Sequence, residues 1–219
     1  TPLSDHEVAL GYEQATDPSV FVRLPLMESP DTSLLVWTTT PWTLPANVAV
    51  AAHPDVGYVK VQHKLPDGAM EYLILAEALL SKVFGEDEVK VVDRFNGKHL
   101  KGKRYKPLYT FMPTDKPAHR VVLADFVTTE DGSGLVHIAP AFGADDMQMA
   151  TENDLPIIMT VAPDGTFIPE VKQWSGIFVK DADPAITEDL KTRGLLYKAG
   201  TYTHTYPFCW RCHTPLLYY

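Results

Sequence analysis

The chain has 219 residues, 45% of them apolar, with 28 acidic against 19 basic side chains and a net charge of −9. This is an ordinary globular balance, and no window approaches the run of about 18 apolar residues that a membrane-spanning helix needs. The acidic balance argues against a broad nucleic-acid-binding face but leaves room for gripping a single strand end. Two cysteines make no disulfide framework. The opening residues, Thr1-Pro2-Leu3-Ser4-Asp5-His6-Glu7, have neither the basic segment nor the apolar run of a signal peptide. A cytoplasmic setting without a membrane is the expectation.

Ser4-Asp5-His6-Glu7 has the composition of a helix cap, and an extended segment up to residue 15 is the alternative. Phe21 to Met27 reads as a strand interrupted by Pro25. The apolar run Leu34 to Trp37 then enters the string W-T-T-T-P-W-T-L-P-A-N, Trp37 to Asn47. Strand propensity is high through Thr40. Pro41 and Pro45 cannot donate ladder hydrogen bonds, so a central strand stops before them. The pattern predicts a buried strand that delivers a rigid, hydroxyl-lined loop beside an indole. Such hydroxyls can hold water or a sugar, and the threonine methyls can set a steric limit. A Thr-rich strand end closed by a Pro-rich turn is the plain alternative.

Further on, Val48 to Ala51 and Tyr58 to His63 read as strands around a His53-Pro54-Asp55 turn. Pro66-Asp67-Gly68 is a hairpin signal before Glu71 to Leu75. A short helix from Ala76 to Val83 stops at Gly85, and Val89 to Val92 is another strand. Lys98, Lys101, Lys103, Arg104 and Lys106 form the one local positive patch. It is either a solvated loop face or a phosphate contact that weakens with salt. His119 to Phe126 reads as a strand. After the Asp131-Gly132-Ser133-Gly134 turn, Leu135 to Ala139 is a strand carrying His137.

Pro140 ends that strand, and Gly143 to Glu152 reads as a helix opening with Ala144, Asp145 and Asp146. A lone histidine in an apolar strand is ordinarily a satisfied core residue. Acids in a first helical turn ordinarily complement the dipole. Adjacent helical residues diverge by about 100°, so Asp145 and Asp146 cannot both aim into one pocket. Leu155 to Val161 and Trp174 to Val179 continue the β-rich pattern around a Pro163-Asp164-Gly165-Thr166 turn. A helix from Asp183 to Lys191 has Asp183 as N-cap, Pro184 in its first turn and Gly194 beyond its end. Cys209-x-x-Cys212 is half of a tetrahedral zinc set. A redox dithiol is the weaker reading, because no βαβ pattern surrounds it. No repeat or linker appears, which suggests one domain over 1–205 and a tail over 206–219.

Two strings carry a family resemblance. W-T-T-T-P-W-T-L-P-A-N resembles the threonine-rich segment of the editing domain inserted in isoleucyl-tRNA synthetases. The valyl and leucyl relatives continue differently after the first two threonines. D-G-S-G-L-V-H-I-A-P-A-F-G-A-D-D resembles the second signature of the same domains. The tail resembles the zinc knuckle where that insertion rejoins its catalytic body, whose partner CxxC lies upstream of a segment like Thr1-Pro2-Leu3-Ser4-Asp5. The resemblance implies a mainly β fold, a β-barrel with peripheral α-helices. It also implies an activity: hydrolysis of mischarged valyl-tRNA(Ile), and of valyl-adenylate, with isoleucine excluded by pocket size.

Carried over residue by residue, Asp146 binds the substrate ammonium, which needs a fixed anion in a partly dry pocket. Thr38, Thr39, Thr40 and Thr43 orient the ribose hydroxyls and a water. His137 and Trp42 bound the side-chain pocket, with Asn47, Ala139 and Phe142 beside the substrate. Cys209 and Cys212 are expected to be a half site whose partners are missing; no cofactor is expected for editing, and zinc is expected only in the full-length enzyme. The partners implied are the acceptor end of tRNA(Ile) and the enzyme's own catalytic body. The synthetic signatures of class I synthetases are absent from the chain. Two other readings stand beside this one: a non-catalytic module that only grips the acceptor end, and a generic esterase using His137 as base.

Overall fold

The computed structural model describes residues 4–65, 67–85, 87 and 89–218. Thr1 to Leu3 and the turn residue Pro66 lie outside the described residues. Nine strands make one mixed sheet: β1 Tyr12–Pro25, β2 Thr32–Thr38, β3 Ala49–Ala52, β4 Gly57–Lys64, β5 Met70–Ala76, β6 Lys90–Asn96, β7 Arg120–Leu123, β8 Leu135–Ile138 and β9 Leu196–Pro207. Among the described residues four α-helices sit around it: α1 Asp5–Ala9, α2 Leu80–Phe84, α3 Ala144–Asn153 and α4 Asp183–Thr192.

β2 is the branch point. One edge pairs antiparallel with β1. The other pairs parallel with β5 over Thr32–Leu34 and then with β8 at Trp37. Paired along both edges, β2 is also buried on both faces except at half-buried Trp37, which suits its T-S-L-L-V-W-T sequence. Beyond β5 the antiparallel strands β4 and β6 extend one wing. Beyond β8 the sheet continues through β3 to β7. Backbone bonds then close this second path into a barrel. Val121 donates to the Lys103 carbonyl and Tyr105 to that of His119, while Met27 donates to Arg104 and Lys106 to Pro25 at the end of β1. The basic stretch is thus the strap that joins β7 to β1, and Lys98 in it pairs with Asp55 at 2.5 Å.

β3 alternates between two cores as a pleated strand must. Val50 and Ala52 enter the main core with Leu34, Leu35, Tyr58 and Leu73. Ala49 and Ala51 enter a smaller core with Ile138, Met149, Leu155 and Ile158. The alanines let α3 pack close, which brings its first turn to the end of β8.

Several elements differ from the sequence expectation. The N-terminal segment is both helix and strand: α1 carries a Ser4–Glu7 capping box, and β1 begins at Tyr12. β2 ends at Thr38, two residues before strand propensity runs out. β7 stops at Leu123, because its ladder partner β3 is only four residues long. Residues 155–179 form no regular strand, only bridges such as Val161 with Phe167 and Thr166 with Phe178. Pro156, Pro163 and Pro169 interrupt every ladder there, although Leu155, Val161, Phe167 and Trp174 are buried.

The first half of β1 and the second half of β9 pair as a two-stranded ribbon, from Tyr12 opposite Pro207 to Ser19 opposite Gly200. Its base is tight: Phe208 donates to the Gly11 carbonyl at 2.8 Å, and a Cβ on Gly11 would fall 1.8 Å from the Phe208 oxygen. Gly134 is constrained as strongly where β8 begins. Its φ is +72°, and a Cβ there would lie 2.4 Å from the Ala76 Cβ. A left-handed residue with a side chain is strained and this one also collides with β5. Gly134→Ala is expected to cost about 2–4 kcal/mol, read as a lowered midpoint in chemical denaturation.

Candidate functional site

Past Thr38 the backbone turns at Thr40 (φ −126°, ψ 71°) into a single 3-10 helix, Pro41–Ala46, with all six residues buried. Pro41 takes the first position, where a missing N–H costs nothing. The Thr40 carbonyl accepts both the Thr43 N–H at 3.0 Å and the Thr43 hydroxyl at 2.8 Å. The hydroxyls of Thr38, Thr40 and Thr43 run in a chain with 3.1 Å steps. The turn therefore presents a row of hydroxyls whose spacing its own backbone fixes.

That row ends on His137, which is 7% exposed in β8. Its Nε2 lies 2.7 Å from Thr43 Oγ1, and its Nδ1 lies 3.0 Å from Asn47 Nδ2. The tautomer follows from the neighbours. Asn47 Nδ2 also donates to the Ala49 carbonyl at 2.9 Å, an atom that can only accept, so the amide orientation is set. Asn47 Oδ1 accepts the Tyr105 hydroxyl at 2.7 Å. Nδ1 of His137 must then be the acceptor, and Nε2 carries the proton. Thr43 Oγ1, already donating to Thr40, accepts it. Burial pushes the His137 pKa down to about 4, and a second proton would face the Asn47 amide head-on. His137 is a neutral, fully engaged ring with no free lone pair, so the esterase reading loses its base.

Asp146 lies in the first turn of α3. One oxygen accepts the Ala139 N–H at 2.8 Å; the other has no hydrogen-bond partner among the described residues. Burial pushes its pKa up to about 6, partly offset by the Ala139 N–H and reinforced by the charge of Asp145. Asp145 is exposed, so the two acids do diverge. Trp42 and Phe142 meet edge to face with ring centroids 5.1 Å apart. The buried Trp42 Nε1 has no partner among the described residues.

Of the residues singled out by sequence, Thr38, Thr40, Thr43, Asn47 and His137 thus join one hydrogen-bonded chain. Trp42 meets Phe142, and Ala139 meets Asp146. Thr39 is half-buried and its hydroxyl makes no hydrogen bond among the described residues. Cys209 and Cys212 are free and lie beyond β9, apart from all of these. The described residues hold no cluster of three or more metal-ligating side chains, and His213 instead faces Glu13 at 3.3 Å. Two thiols are half of a tetrahedral zinc set. A cleft of about 490 Å³ beside Pro45, lined also by Tyr109, Phe111, His119 and Ile158, contains none of the predicted site residues.

Two participants were invisible in the sequence. Tyr105 lies in the basic strap, where nothing marks it as the donor to Asn47. Asp183 has the pattern of an N-cap, yet Ala182 holds that position and no side chain caps α4. Asp183 Oδ1 instead accepts the Trp42 N–H at 2.8 Å. No local signal points to a partner so far along the chain.

Comparison with known proteins places this geometry. An isoleucine–tRNA ligase of Streptomyces coelicolor is 52% identical over 222 residues, a match covering all of this chain and 21% of that protein. Over its whole length the chain matches a segment of isoleucine–tRNA ligases. Relatives from Thermobifida fusca and Pyrococcus furiosus are 51% and 48% identical, again over the whole chain. The chain spans about a fifth of the length of these ligases. No protein-family model matches it. Its fold is that of synthetase editing domains. The structure of GlLeuRS-CP1 aligns with a TM-score of 0.63 at 14% identity, covering 82% of this chain and 96% of that one. The Plasmodium falciparum cytosolic leucyl-tRNA synthetase editing domain aligns at 0.58 and 9% identity, covering 79% and 80%. At such identities it is the fold, not the site chemistry, that is shared.

The tautomer assignment for this ligase segment can be checked directly. Nitrogen NMR is expected to find His137 neutral with the proton on Nε2 down to about pH 5, because protonation waits for a pKa of about 4. A charged ring at pH 6 would contradict it.

Proposed function

We propose that this chain is a hydrolytic editing domain that removes valine from valyl-tRNA(Ile), and from valyl-adenylate, while excluding isoleucine. The observation that supports the reading best is the half-buried Asp146 carboxyl, with one oxygen tied to Ala139 and the other without a partner. Its backbone partner Ala139 lies two residues past His137, the imidazole on which the row of fixed hydroxyls ends. An α-ammonium is the ligand that completes such a carboxyl, since opposite charge and a dry setting strengthen the bond. Arrival of the ammonium also favours the ionised form of an acid whose pKa burial has raised.

Size exclusion gives the domain its task. A pocket that accepts isoleucine loses only about 1–3 kcal/mol on binding valine, and isoleucine–tRNA ligases are the standard example of that limit. A second site must refuse the extra methylene. His137 suits this role because both ring nitrogens are pinned and the ring cannot swing aside. Trp42, packed on Phe142, is equally confined.

In the reaction we infer, a water attacks the ester carbonyl and the bond to the ribose oxygen breaks. The water's proton leaves with that oxygen. Thr38, Thr39, Thr40 and Thr43 orient the water and the ribose hydroxyls. Thr39, whose hydroxyl is unengaged among the described residues, is the member best able to bond a substrate. No covalent intermediate is required. The acceptor end of tRNA(Ile) and the rest of a longer ligase are the partners this reading implies, and zinc has no part in the hydrolysis.

The test is deacylation of valyl-tRNA(Ile) beside isoleucyl-tRNA(Ile). Loss of valine alone is expected, reduced at least about a hundredfold by Asp146→Ala. His137→Ala is expected to admit isoleucine. Binding of the acceptor end without turnover, in this chain and in a ligase of the relatives' length, would favour a gripping module instead.

The pH profile is a separate check. Asp146 must be ionised to hold the ammonium, so kcat/KM for the valyl ester is expected to rise with pH through about 6 and to fall again as the substrate ammonium deprotonates at about pH 8. A profile flat from pH 5 to 8 would remove the carboxylate from the mechanism.

A further inference from the structure

Asp183 is 3% exposed, and its hydrogen bond to the Trp42 N–H spans 141 residues of sequence. The donor it satisfies would otherwise be orphaned. Trp42 is the second residue of a short 3-10 helix that opens with proline, so its own turn offers that N–H no carbonyl. Lys180 is bonded to Asp17 at 2.9 Å and lies over the Tyr206 ring, so it acts on Asp183 through its charge alone. Asp17 in turn is shared with His204 at 2.9 Å. Burial pushes the Asp183 pKa up to about 7, against the opposing pull of the Trp42 N–H and Lys180. A carboxyl held this way costs stability. What it contributes is position.

Trp42 joins the two walls of the site. Its ring packs on Phe142, and the next residue along the chain, Thr43, holds His137. One backbone hydrogen bond from α4 therefore stands behind both surfaces. We propose that Asp183 is a positioning residue for editing: by pinning the Trp42 backbone it sets the hydroxyl row and the width of the side-chain pocket. This rests on the reading of the site given above. The role needs an acceptor oxygen and not a charge, so asparagine should serve and alanine should not.

The experiment compares Asp183→Ala and Asp183→Asn, in this chain and in a ligase of the relatives' length. Hydrolysis of valyl and isoleucyl esters of tRNA(Ile) is followed together with hydrogen exchange at the Trp42 amide. In the alanine variant, Trp42 exchange should quicken and kcat for the valyl ester should fall about tenfold or more with KM little changed. Discrimination against isoleucine should narrow as well. The asparagine variant should return all three to within about threefold of the parent.

Faster Trp42 exchange with unchanged rate and discrimination would overturn the proposal, as would an asparagine variant as defective as alanine. Should the alanine variant not fold, Asp183→Glu replaces it. Glutamate keeps the acid but displaces the acceptor by a methylene, so it should be impaired where asparagine is not, and equal activity of the two would overturn the role. A parent protein that hydrolyses neither ester would overturn the editing reading and this role with it. An active parent with an indifferent Asp183 would overturn the role alone.

Discussion

An amide side chain inside a core must find acceptors on one end and donors on the other, and Asn47 meets that demand with three separate parts of the fold. Its nitrogen bonds the start of β3 and the ring of His137; its oxygen takes the hydroxyl of Tyr105 from the strap that closes the barrel. Rotating the amide would break all three contacts, so the residue has one orientation. From that orientation the histidine tautomer follows, and from the tautomer follows the direction of each threonine hydrogen bond. Barrel closure and the chemistry of the pocket wall depend on the same side chain. A polar network satisfied at every atom is rigid, whereas the same network with one member missing would be costly.

Three aspartates show how far the setting of a carboxyl governs what it does. Asp145 and Asp146 are neighbours in one helical turn, yet the first is solvated and the second is turned toward the end of β8. Asp183 is buried more deeply and holds only a backbone N–H. Burial raises the pKa of both Asp146 and Asp183, and each is partly steadied by a single amide donor. The difference lies in the second oxygen. That of Asp146 has no hydrogen-bond partner among the described residues and its side chain is half-buried, while Asp183 lies behind the Trp42 backbone.

The threonine-rich turn could be read from the sequence because its causes are local: proline removes donors, and a hydroxyl three residues on can reach back to a carbonyl. The hairpin of β4 and β5, the short helix before Gly85 and the strand bearing His137 were legible for similar reasons. The length of β7 was not, since it is set by β3, about seventy residues earlier, and not by the apolar run that begins at Val121. The segment from 155 to 179 has the composition of strands without their ladders. Its apolar residues are buried as expected, but proline leaves them in turns. Asp183 misled most, because an acid before proline at a helix start has an ordinary local explanation, and its real partner is far away in the chain. Local chemistry marked the threonine turn and the strand of His137; Tyr105 and Asp183, which bond to Asn47 and to that turn, became visible only in three dimensions.

The ribbon of β1 and β9 has a consequence for how such a unit can exist within a longer polypeptide. The chain enters and leaves the barrel through two strands hydrogen-bonded to each other down to Gly11 and Phe208. A host protein interrupted at this point would see its two cut ends held no farther apart than adjacent strands in a sheet. The interruption would be felt as a hairpin and not as a gap of some two hundred residues, so the host need not rearrange to receive it. Splicing such a unit into a surface loop, or removing it, becomes a geometrically small event.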